Sequence, residues 1–202
     1  IVSLAYSGTA TNGTDYNGIA STSITIPAGS LSANAATGIT ATQDASPEGD
    51  ETIIIDISSV SKGFESGTQQ QTITIIDDDA PTVSSVSVPA NGTYMTGQNL
   101  DFTVIFTQAV TINTASGVPS IPVTIGSATV QASLNGTVSN ATTATFRYTV
   151  QNNQEDTNGI TLGSAIATNG ATIRNAASLN AVTTLNNVGS TSAVLVDAVV
   201  PT

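Results

Sequence analysis

Apolar and polar residues alternate along most of this chain, and a period of two admits strands rather than helices. SITI (23–26), TIIIDI (52–57), TITII (72–76), VSSVSV (83–88), LDFTVIF (100–106), ATVQASL (128–134), ATFRYTV (144–150) and SAVLVD (192–197) all read as strands rich in Val, Ile, Thr and Phe. Turn formers separate them. Asn-Gly pairs begin at Asn12, Asn17, Asn91, Asn135, Asn158 and Asn169, and this dipeptide suits tight turns between strands. No segment carries a sustained helical period. The expected class is all-β, with strand spacing typical of sandwiches.

Ser, Thr and Gly are abundant, which by itself would suit disorder. The hydrophobic fraction of 39% and the mean hydropathy of +0.17 argue against it, because these apolar residues are patterned. Charged residues make up only 8% of the chain, against roughly 25% in an ordinary soluble domain. The chain has no cysteine, histidine or tryptophan, and its basic residues are Lys62, Arg147 and Arg174. Thiolate and imidazole catalysis, disulfides, zinc knuckles and iron–sulfur sites therefore lack their residues. Three cations cannot track a phosphate backbone, so nucleic acid is not an expected partner. No apolar run reaches about 18 residues, and direct membrane insertion is not expected. The chain opens on a strand-like IVSLAYSG. It reads as a mature segment or part of something longer, and the missing cysteines fit a bacterial exported protein.

A boundary is expected at Asp79-Ala80-Pro81, where a strand runs into three aspartates and a proline, giving domains at 1–79 and 80–202. Residues 1–80 hold ten acids and one lysine, a net of −9; residues 81–202 hold four acids and two arginines, a net of −2. The far end, VLVDAVVPT, has the same form of strand, aspartate and proline, as in a tandem array.

Counting strands up and down places the acids of the first domain at one pole. Asp15 follows the first strand. Asp44, Glu48, Asp50 and Glu51 follow a strand expected at 37–42, and Asp77, Asp78 and Asp79 end the last strand. Eight carboxylates at one pole repel one another. A calcium ion, which takes six to eight oxygen ligands in irregular loops, resolves the repulsion. The alternative is a solvated, solubilising cap. In the second domain the same count gathers Glu155, Asp156 and Asp197 as a weaker candidate site, or as polar groups near a strand end.

GTATNGTDY (8–16), PAG (27–29), EGDETI (48–53) and TITIIDDD (72–79), in that order, resemble the Calx-β domain. The resemblance implies an immunoglobulin-like sandwich that binds calcium at one end. It implies that Asp15, Glu48, Asp77, Asp78 and Asp79 occupy ligand positions. Where the family often has paired acids before EGDE, this chain reads Gln43-Asp44, so only Asp44 carries over. The family's first strands have no counterpart here. Their absence leads to the expectation that Ile53, Ile55, Ile73 and Ile75 are poorly covered unless an upstream segment or a neighbouring subunit supplies strands. Residues 81–198 resemble, more loosely, an Ig-like repeat of large bacterial adhesins. The carriers are PTVSSVSVPANGTY, LDFTVIFTQAV, FRYTV, NGI and VLVD. Together these imply two immunoglobulin-like antiparallel β-sandwiches in tandem.

The function expected is a non-catalytic, calcium-stiffened repeat of a bacterial cell-surface adhesin or filament, with neighbouring repeats or adjacent subunits as partners. A glycan- or protein-binding module of a secreted protein is the alternative. Four Tyr and four Phe form no evident sugar-stacking platform. Enzyme chemistry is the least favoured reading, because the paired Asp50 and Glu51 sit among like charges without a cationic partner.

Overall fold

The computed structural model describes residues 1–19, 21–34, 38–44 and 46–199. Contacts divide the chain into two compact units, Ile1–Asp77 and Asp78–Thr202. The division falls two residues before the boundary expected from the aspartate run. Both units are made of strands, and no helix occurs among the described residues.

The first unit contains β1 (Val2–Gly8), β2 (Tyr16–Asn17), β3 (Ser23–Ile24), β4 (Thr40–Ala41), β5 (Glu51–Val60) and β6 (Gln70–Ile75). Four of these make an antiparallel sheet in the order β3-β1-β5-β6, while β2 and β4 pair separately. The strand expected at 37–42 pairs only at Thr40–Ala41, and Thr37 lies outside the described residues. Register fixes which loops share an end. Gly8 lies opposite Ile53, and Ile75 opposite Glu51. The end of β1, the start of β5 and the end of β6 therefore coincide. The acid-bearing loops leave the sheet at that end.

The core of this unit is small. Tyr16 and Ile53 are its buried apolar side chains among the described residues. Ile55 and Ile75 are half-buried, and Ile73 is 36% exposed. β6 pairs with β5 along one side, and among the described residues no strand pairs along its other side.

The second unit contains β7 (Val83–Ser87), β8 (Gly92–Tyr94), β9 (Asn99–Asn113), β10 (Ser120–Ile125), β11 (Ala128–Leu134), β12 (Ala141–Thr149), β13 (Glu155–Asp156), β14 (Thr161–Leu162), β15 (Thr172–Arg174) and β16 (Val194–Asp197). A seven-stranded antiparallel sheet runs β14-β10-β11-β12-β9-β15, with β7 also on β9. A three-stranded sheet runs β13-β16-β8, and its β16–β8 pairing is parallel. Both sheets feed one core, with Leu100, Phe102, Val104, Ile121 and Phe146 from the large sheet and Val194 and Val196 from the small one.

β9 shows why the pattern folds this way. Leu100, Phe102, Val104, Phe106, Val110 and Ile112 are all buried, while the residues between them face outward or are half-buried. Gln108 shares this inward parity and is 9% exposed. Its side-chain oxygen accepts a hydrogen bond from Asn175 Nδ2 at 2.8 Å, as a buried polar group requires. β10 escapes a simple strand reading because Pro122 sits inside it. The Pro122 carbonyl accepts the Gly163 N–H at 2.8 Å. A Cβ on Gly163 would meet the proline ring at 3.1–3.3 Å, so the bare backbone there lets the ring fit against the neighbouring segment.

Phe146→Ala is expected to destabilise the second unit by about 3–5 kcal/mol, the usual cost of emptying a buried aromatic site. Ile73→Ala in the first unit should cost under about 1 kcal/mol, because that side chain is already partly in water. Urea unfolding of the full chain, followed by circular dichroism, measures both.

Candidate metal centre

The acid-bearing end of the first sheet brings three carboxylates together. One oxygen each from Asp15, Glu48 and Glu51 lies within 4.8 Å of the others. Asp15 is buried at 8% exposure, Glu51 is half-buried and Glu48 is exposed.

Each acid is placed by its local backbone. Asp15 closes a tight turn: its N–H donates to the Thr11 carbonyl at 3.0 Å, and its Oδ2 accepts the Thr11 N–H at 2.6 Å. The turn is tied to β4, because Thr42 N–H donates to the Asp15 carbonyl at 2.9 Å. The buried Tyr16 beside it anchors the segment. Glu51 opens β5 two residues before the buried Ile53, so strand alternation gives both the same face.

Glu48 is held by a reciprocal arrangement with Asp77. Oδ2 of Asp77 accepts the N–H groups of Glu48 at 3.1 Å and Gly49 at 2.6 Å. In return Asp77 N–H donates to Asp50 Oδ1 at 3.1 Å. Gly49 has φ of +85°, a conformation that a side chain would strain. Asp77 is thus a positioning residue for the Glu48 loop, and it lies outside the group of three carboxylates.

Electrostatics shows up at Glu51. Its carboxyl is held above the ordinary glutamate range, chiefly because folding removes water from it. The Asp15 carboxylate adds to this through charge and a side-chain hydrogen bond, and the charges of Glu48 and Asp44 push the same way. Asp44 therefore contributes to the field at the cluster, while its own Oδ1 accepts the Ser46 N–H at 2.7 Å. Ala45 lies outside the described residues.

Of the residues singled out from sequence, Asp15 and Glu48 meet, Asp44 and Asp77 border them, and Asp78 and Asp79 fall in the second unit. Glu51 is the member that the spacing of motifs did not single out as a ligand. Its parity with Ile53 is the signal that marks it.

The weaker trio of the second unit is not brought together. Glu155 and Asp197 are cross-strand partners, both exposed. Asp156 alternates to the opposite face and is buried at 5% exposure. Its Oδ2 accepts the Gly126 N–H at 2.7 Å, and its Oδ1 accepts those of Asn158 at 3.2 Å and Gly159 at 2.8 Å. That carboxylate ties the turn after β10 to the loop after β13.

Three carboxylates with no nitrogen or sulfur donor form an oxygen-only set. Such a set suits a hard cation, calcium or magnesium, and the irregular loops suit the looser geometry of calcium. The residues present fit the ion, with backbone carbonyls and water left to complete its coordination. No family model, curated protein or solved structure matches this chain. No helix among the described residues is long and apolar enough to cross a membrane.

A carboxyl whose folded pKa is raised binds its proton more tightly in the native than in the unfolded chain. In chelator, the first unit should therefore lose stability as pH rises from the ordinary glutamate value through the raised folded one. Glu51→Gln should flatten that slope and melt higher than the parent at neutral pH without calcium, as thermal melting across pH would show. Asp156→Ala should cost about 1–3 kcal/mol with or without calcium, because it removes three backbone hydrogen bonds to one charged carboxylate. Chemical unfolding in the two buffers checks this.

Proposed function

We propose that this chain is a non-catalytic, calcium-stiffened structural repeat of a large extracellular bacterial surface protein, an adhesin or filament. The observation that carries the reading is the cluster of Asp15, Glu48 and Glu51 at one end of the first sheet. Two of these three belong to the GTDY and EGDE motifs that resemble the Calx-β domain. The all-β organisation in two units agrees with a tandem of Ig-like sandwiches. The absence of histidine and cysteine from the sequence fits a mechanical role better than a catalytic one.

Calcium gives this reading its physical content. A cation bound by the native carboxylates replaces their mutual repulsion with attraction, and an ion that binds only the folded state stabilises it by mass action. Free calcium at a hundred times its dissociation constant contributes about 2.7 kcal/mol. The small core of the first unit makes a contribution of that size decisive.

The test is thermal melting of the full chain in calcium and in chelator. The transition of the first unit should rise in calcium, and Asp15→Asn should abolish the rise. Small-angle scattering under the same two conditions should show a narrower spread of chain dimensions in calcium. Superimposable melts and scattering curves would contradict the proposal.

A further inference from the structure

The two arginines of the second unit stand in different environments. Arg147 is occupied: its Nε and Nη2 donate to the two carboxylate oxygens of Asp101 at 2.6 and 2.7 Å. Arg174 has no carboxylate partner among the described residues. Its Nε donates to Asn180 Oδ1 at 2.8 Å, which orients the guanidinium of this exposed residue.

Arg174 lines a groove of about 380 Å³. The hydroxyl-bearing Thr168, Thr172 and Thr183 and the amide of Asn180 share the wall, with Ala171, Ala181 and the core-buried Ile173 behind them. No acid and no aromatic ring lines it. The wall is built by backbone pairing. Arg174 bridges Asn180, Ala181 N–H donates to the Ile173 carbonyl at 2.8 Å, and Asn175 N–H donates to the Leu179 carbonyl at 3.2 Å. The intervening turn includes Ser178 at φ of +66°.

We infer that this groove binds a carboxylate-bearing sugar residue, a uronic acid or similar acidic monosaccharide unit. A guanidinium fork matches a carboxylate in two parallel hydrogen bonds. Threonine hydroxyls and the free Asn180 NH₂ match the ring hydroxyls. The volume lies in the lower range of small-ligand sites, which suits one sugar ring. The charge pattern decides between ligand classes. One cation among neutral donors fits a ligand with one anionic group and several hydroxyls. A phosphate-rich polymer would need several cations and would meet the net charge of −11. A neutral sugar would find no aromatic face to stack on.

The experiment is a nuclear magnetic resonance titration of the full chain with glucuronate, following backbone amides. Glucuronate should shift amides within residues 168–183 saturably, in the millimolar range usual for one sugar unit, and glucose should not. Arg174→Gln should weaken binding at least about tenfold, the cost of one lost charged pair. Arg174→Lys should retain part of it, and unchanged spectra elsewhere show that both variants are folded. The response should be the same in calcium and in chelator, which separates its failure from failure of the calcium reading. The inference is overturned if glucuronate gives no saturable shift, if glucose matches it, or if Arg174→Gln binds like the parent. An equal response to acetate overturns the sugar assignment by reducing the site to a simple anion contact.

Discussion

Like charges held close in a partly dry place must be neutralised, protonated or solvated, and the first unit poses that problem at Asp15, Glu48 and Glu51. The fold restricts the simplest escape, letting the acids splay into water, at the buried Asp15 and half-buried Glu51, and holds the backbone that carries the exposed Glu48. Asp15 is fixed by its own turn and by Tyr16, Glu51 by the strand that also carries Ile53, and Glu48 by the amides given to Asp77. The raised proton affinity of Glu51 comes chiefly from lost hydration and, after that, from the Asp15, Glu48 and Asp44 carboxylates around it. A calcium ion bound there would set attraction against that penalty.

The two units hold themselves together in different ways. The second has a continuous apolar core built from two sheets, with Phe102 and Phe146 fully buried in its centre. Its polar intrusions Gln108, Ser120 and Asp156 are satisfied by Asn175, by Gln131 and by three backbone N–H groups. The first unit buries Tyr16 and Ile53 and leaves Ile73 partly in water. Hydrophobic burial of that extent stabilises a sheet weakly, so the electrostatic state of one end matters more there than in its neighbour.

Much of this was legible in the sequence because strand alternation is a local signal. The even-numbered apolar residues of β9 announce their burial without any knowledge of neighbours. The strand-end positions of Asp15 and Glu48 follow from counting directions. Glu51 has the look of one more loop acid in the sequence, although it already belongs to β5 and shares the inward side of Ile53. Asp156 falls beside Glu155 and Asp197 in a strand count because position in a loop says nothing about which face a side chain takes. Pro122 concealed β10, since the segment that accommodates its ring, around Gly163, is distant in sequence. The short strands β8, β13, β14 and β15 exist only through long-range pairing and carry little pattern of their own.

The central claim is that Asp15, Glu48 and Glu51 share one calcium ion. Anomalous X-ray diffraction from crystals grown with calcium addresses it without reference to stability. The account predicts a single strong peak in the first unit, with oxygens of all three carboxylates about 2.3–2.6 Å away. A map without a peak there, or with the peak bound by other residues while these three remain hydrated, would contradict it.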